Sequence, residues 1–253
     1  MSTTMQTDMG MRRDLTDGPG LFVSTGVSTA KADTGAASNW RQMLPVLTGK
    51  SVILRELRES DAPSLLMMLA TDEVRQFISP PPASLAEFQQ FIAWTHQERA
   101  EGRYACFAVV PEGLDAAVGI FQIKPLDPDW GTSEWGFAIG SPFWGRGVFQ
   151  EGAALTIAFA FEHLRAFRLE ARATVDNDRG NGALRKTGAR ANGVLRESFR
   201  KDGRLHDQVL WSLLESDWRR ESNGLWQPSQ EIRLTDADRA DAGSPIALPT
   251  LTH

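Results

Sequence analysis

Apolar and charged residues alternate along SVILREL (51–57), a period of two that predicts a β-strand with one buried face. A helix follows. Ser60 or Asp61 can cap it, Pro63 sits in its first turn, and Leu65, Leu66, Met68 and Leu69 form its apolar side. Pro80, Pro81 and Pro82 end regular structure. Ser84 and Glu87 then have the spacing of a capping box, opening a helix to about Gly102 with Phe88, Phe91, Ile92 and Thr95 on one side. YACFAVVP (104–111) and AAVGIFQIKPL (116–126) read as paired strands turning near Gly113. DPDWG (127–131) is a turn, TSEWGFAIG (132–140) a strand, and a long apolar helix runs to about 163. RLEARATV (168–175) alternates again. A short helix over 176–189 stops at Gly188, and a last hairpin turns at Asp202-Gly203 before a short helix at SDWRRE. The helix between the 132–140 and 168–175 strands is a crossover, so that strand pair is expected to be parallel within a mostly antiparallel α/β sheet.

Composition supports one main domain. Of 253 residues, 42% are hydrophobic and 23% charged. Residues 1–45 read as a mobile N-terminal tail, 46–220 as the domain and 221–253 as a polar C-terminal tail. The net charge of -5 argues against a general nucleic-acid binder. No run suits a membrane span or a signal peptide, so a cytoplasmic protein is expected. Cys106, the only cysteine, lies in an apolar run and reads as core, and Met67 and Met68 read as packing residues rather than a ligand site. His96, His163, His206 and His253 lack metal-ligand spacing, and no metal is expected.

Chemistry concentrates in 134–163. A strand leads through Trp144, Gly145, Arg146, Gly147, Val148 and Phe149 into the long helix. Unpaired N–H groups and the helix dipole make such a turn a seat for a phosphate, and the glycines let the backbone wrap it without Cβ clashes. An ordinary strand–turn–helix connection is the competing reading. The sequence lacks G-x-x-x-x-G-K-[ST], which weighs against a P-loop.

The element order, the turn WGRGVF (144–149) and the spaced set Asn177, Lys186 and Gly188 resemble the GCN5-related N-acetyltransferases (GNAT). The closing run GRLHDQVLWSLLESDW (203–218) resembles the RimJ/RimL-type branch, and the likeness covers about 50–219. The resemblance implies the GNAT fold, acetyl-CoA as co-substrate and a primary amine as acceptor, either a protein or peptide N-terminus or a small molecule, in a monomer or homodimer. It also implies a strand splayed from its neighbour, with the backbone of Phe137, Ala138 and Ile139 facing the pantetheine arm. The turn residues 144–149 would then hold the pyrophosphate. By the same resemblance Asn177 contacts the cofactor, with Asn181 as companion, and Glu134 is the candidate general base. Asn177 suits a helix N-cap equally well. The turn departs from the family's usual one at Trp144 and Phe149, where a tighter or differently gated pocket is expected. Where the family places acid or base groups, this chain has Leu184, Gly180 and Asn192, and its one tyrosine, Tyr104, lies in an earlier strand. His206 or Asp207 could face the acceptor, but not both. These departures leave two readings: an acetyltransferase, or a catalytically reduced acyl-CoA-binding sensor.

Overall fold

The computed structural model describes residues 40–225, with side chains through residue 220. The readings of residues 1–39 and 226–253 as tails lie outside the described residues. One eight-stranded sheet runs through the molecule in the order β1-β2-β3-β4-β5-β6-β8-β7. Its strands are β1 (Leu47–Thr48), β2 (Val52–Glu56), β3 (Ala105–Pro111), β4 (Gly119–Pro125), β5 (Thr132–Ile139), β6 (Arg168–Thr174), β7 (Arg190–Lys201) and β8 (Arg204–Leu214). Every neighbouring pair is antiparallel except β5–β6, which is parallel as the crossover requires.

Among the described residues six helices flank the sheet: α1 (Ala62–Leu69), α2 (Asp72–Arg75), α3 (Leu85–Ala100), α4 (Val148–Glu162), α5 (Asp178–Lys186) and α6 (Glu215–Leu225). Among the described residues no helix is long and apolar enough to cross a membrane. Strand alternation divides the core in two. On β3, Ala105, Phe107 and Val109 face α4 with Trp135, Phe159, Phe161 and Leu169. Cys106, Ala108 and Val110 face the other way, toward Leu65, Leu69, Phe88 and Phe91 of α1 and α3. Each large side chain so enclosed contributes about 1.5–3 kcal/mol.

Several expectations change in detail. Ser84 caps α3 by accepting from the Glu87 N–H, as the capping box predicts. Asp61 stands at the N-cap of α1 but makes no capping bond. Its carboxylate instead accepts from both terminal nitrogens of Arg55, at 2.7 and 2.8 Å, and from the backbone N–H groups of Arg58 and Ala117. Trp40 and Leu44, ahead of β1, are buried in the core. The backbone of α6 continues to Leu225. β1 and the single-turn α2 are additions too short to carry a periodic signal. β7 starts at Arg190, since the glycine and polar residues before Val194 pair with β8 through a bulge. Glu151, in the first turn of α4, turns back to accept from the Ser51 N–H and hydroxyl and from the Lys50 N–H, tying the β1–β2 turn to this helix.

Candidate active site

The site begins where a strand pair ends. β5 and β6 pair only at Thr132–Arg168, Ser133–Leu169 and Glu134–Glu170. Beyond Glu134, β5 stays with β4 as far as Ile139, while β6 stays with β8 as far as Thr174. The two strands therefore part into a fork. The Gly140 N–H donates to Val118 O, which sets the phase of the β4–β5 ladder. By alternation, Gly136 and Ala138 turn their main-chain groups toward β4, and Trp135, Phe137 and Ile139 turn theirs into the fork. A cavity of about 140 Å³ lies in the fork, walled by Glu134, Trp135, Gly136 and Phe137 on one arm and Ala171, Arg172 and Ala173 on the other.

Side chains and backbone of the expected cofactor stretch divide their tasks. Phe137 packs on Phe149 with ring centres 4.5 Å apart, Ala138 faces α1 and α3, and Ile139 is buried toward α4. Only their backbone can serve a ligand in the fork. Gly145 and Gly147 have φ of 72° and 84°, and a Cβ on either would meet nothing within 4 Å. Glycine is required here by left-handed backbone rather than by crowding, and the turn's outer face is open. The first N–H bonded within α4 is that of Glu151, to Gly147 O. The N–H groups of Val148, Phe149 and Gln150 therefore remain at the helix end, a donor set matched to a diphosphate. The Val148 side chain is buried, and that of Arg146 is exposed. Phe149 does not intrude on the turn, because its ring lies on Phe121 and Phe137 beneath it. Trp144 donates its indole N–H to Ile139 O, and the Arg179 guanidinium lies 4.2 Å from its ring centre.

Asn177 caps α5, accepting from the Gly180 N–H at 2.8 Å, and also lines the cavity. Asn181 donates to Thr174 O and Asn177 O and accepts from the Trp211 indole, so its amide is held by the fold. A Cβ at Gly180 would come within 2.4 Å of Asn177 Nδ2, so the cap and a larger residue there compete for space. Leu184 is buried and Asn192 exposed. Asp207 accepts from the Glu197 N–H across the β7 bulge, and His206 packs beside Phe199, so the two form no pair.

Glu134 does not face solvent. It is 4% exposed, at the last paired position of the fork. Lys124 Nζ lies 3.0 Å from one carboxylate oxygen, and Arg172 Nη1 lies 3.6 Å from the other. Nearby, the Tyr104 hydroxyl donates to Gln122 Oε1. Burial pushes the Tyr104 hydroxyl well above the ordinary phenol range, with Cys106, Glu134 and Glu98 adding to the effect. Sequence reasoning missed Gln122, Arg172, Ser198 and Gln208, all of which line the cavity. Arg172 becomes predictable only with the strand register in hand. Once Glu134 pairs with Glu170 in a parallel register, the residue two beyond Glu170 shares the same face.

The acetyltransferase (GNAT) domain family matches residues 51–190. An N-acetyltransferase named p20 from Bacillus licheniformis, itself uncharacterized, is 24% identical over 176 residues, spanning 69% of this chain and 99% of that protein. Among solved structures, RimL, described as a ribosomal L7/L12 alpha-N-protein acetyltransferase in complex with coenzyme A, has a TM-score of 0.60 at 18% identity, covering 67% of this chain and 97% of that one. Mycobacterium smegmatis RimJ in complex with CoA-disulfide has a TM-score of 0.57 at 20% identity, covering 71% and 91%. The fork between β5 and β6 and the open glycine turn at the head of α4 lie within the matched region, and the chain belongs to the GNAT family as an N-acetyltransferase.

Proposed function

We propose that the protein transfers an acetyl group from acetyl-CoA directly to a primary amine within a ternary complex, with Glu134 taking the proton from the amine. The acceptor is a protein or peptide N-terminus or a small-molecule amine. The carboxylate buried at the point where β5 and β6 part carries this reading. Acetyl-CoA supplies the activated thioester carbonyl. The turn N–H groups from Arg146 to Phe149, with the dipole of α4 behind them, suit a diphosphate. The main-chain N–H groups of Trp135 and Phe137 face the fork, where one can donate to the developing oxyanion. An α-amine of pKa near ~8 is largely protonated at neutral pH, so a carboxylate beside it has a defined task. A protein of this kind works in the cytoplasm as a monomer or homodimer.

A second reading rests on Leu184 and Gly180, which offer no proton donor on α5. In it the protein binds acyl-CoA and reports on it without turnover. Following free thiol in the presence of acetyl-CoA and a panel of peptides and amines separates the two. Acetyl transfer to one amine class supports the enzyme. Tight CoA binding with only slow thioester hydrolysis supports the sensor. Glu134→Gln is expected to lower the rate more at low pH, where more of the amine is protonated, than at high pH. An equal loss across the pH range would remove Glu134 as the base.

A further inference from the structure

Arg172 stands apart from the other arginines buried or half-buried near the sheet. Arg55 is bound by Asp61 at 2.7 Å, and Arg168 by Glu170 at 2.8 Å. Arg99 is held by Glu56. Arg172 faces Glu134 from 3.6 Å, beyond hydrogen-bond reach, and Lys124 already meets that carboxylate at 3.0 Å. Among the described residues its guanidinium makes no hydrogen bond to the protein, and it lines the cavity with a side chain 31% exposed.

The charge sum at the fork is therefore uneven. Glu134 brings one negative charge, and Lys124 and Arg172 bring two positive ones. The carboxylate of Glu170, on the same face, is engaged by Arg168. The remaining polar groups that wall the cavity from β4, β7 and β8 are the uncharged Gln122, Ser198 and Gln208. A guanidinium offers its donors in a planar fork that matches a carboxylate, and here that fork is left to whatever fills the cavity.

We infer that the acceptor is an amine carrying its own carboxylate two or three bonds away, with the amine at Glu134 and the carboxylate on Arg172. This rests on the acetyltransferase reading above. Two sources share the chemistry: a free amino acid, through its α-carboxylate, and a peptide that begins with aspartate, through its side chain. In both, the amine and the carboxylate are close enough to bridge the gap between Glu134 and Arg172. The carboxylate pairs with Arg172, whose share of Glu134 is already taken by Lys124, and completes the hydrogen bonds of the guanidinium.

The test compares matched pairs in two arms: free amino acids against their amides, and short peptides that begin with Asp against the same peptides beginning with Asn. Thiol release gives kcat/KM for each member. Calorimetry on the CoA-saturated protein gives the affinity for the corresponding N-acetylated products, which needs no turnover. In one arm the wild type is expected to favour the carboxylate member by about tenfold or more. Arg172→Met should bring that ratio close to one, and Arg172→Lys should keep part of it. A wild-type ratio near one in both arms overturns the proposal. So does a ratio that survives Arg172→Met while both members slow alike, since the guanidinium would then act on the thioester side. Absence of thiol release with every amine counts against the acetyltransferase reading, and the product affinities then decide the role of Arg172 on their own.

Discussion

Glu134 and Cys106 face the same side of the sheet and are almost fully enclosed, yet their surroundings give them opposite characters. Two cations meet Glu134. Cys106 lies among apolar neighbours on β3, where burial pushes its thiol far above the ordinary range, with a smaller effect of Glu56. A thiol so placed is a poor nucleophile. It also bears on stability. With the folded pKa raised, the native state keeps the proton that the unfolded chain releases above pH ~8.5. The unfolded state then binds fewer protons, so stability is complete below that pH and declines as pH rises. Urea midpoints measured between neutral and strongly alkaline pH should show this fall, and Cys106→Ala should remove its first part. Tyr104, buried on the same face, extends the decline above pH ~10.

At the scale of elements, Asp61 joins three of them. It stands at the head of α1, holds Arg55 of β2, and accepts from the Ala117 N–H just before β4. Both charges are nearly dry, with side-chain exposures of 10% and 1%. Asp61→Asn should cost about 3–5 kcal/mol, because it leaves a buried guanidinium without its counter-charge. The drop in the chemical-denaturation midpoint measures it. The same residue shows what a sequence conceals. Asp before Ala62-Pro63 is a sound helix-start signal, and α1 does begin there. The signal cannot reveal that a distant arginine outcompetes the local N–H groups for the carboxylate. Period-two strands, the capping box at Ser84 and the Asp202-Gly203 turn were legible, because each depends on near neighbours. The last is borne out by φ of 48° and 77° at those residues. The bulge on β7 and the inward turn of Phe149 depend on partners far along the chain, and neither leaves a local mark. In the site, the glycine turn and Glu134 were legible. Lys124 and Arg172 were not, since their meeting with Glu134 requires the register of three strands.

Among the described residues the sheet has two portions, β1–β5 and β6–β8, joined by three paired positions and the crossover helix α4. At the outer rim the β7–β8 hairpin reaches across to the helical side, where the Lys201 ammonium donates to the carbonyls of Arg75 and Ile78. A ligand laid in the fork replaces the strand pairing that β5 and β6 lack there. Hydrogen exchange followed by mass spectrometry should therefore slow in peptides covering 133–140 and 144–151 when CoA is added. Peptides from α3, which lines neither the fork nor the turn, should exchange as before.

The contact between Trp144 and Arg179 has an optical consequence. The chain has eight tryptophans, and of those with described side chains Trp40, Trp130, Trp135 and Trp211 are buried in the core. Trp144 is half-buried at the turn, with a cation against its face and its N–H on a carbonyl at the end of β5. Its emission responds to the electric field across the indole, so an incoming diphosphate that shifts Arg179 changes the colour and yield of that one ring. The difference between wild-type and Trp144→Phe spectra makes the mouth of the fork its own label-free gauge of occupancy.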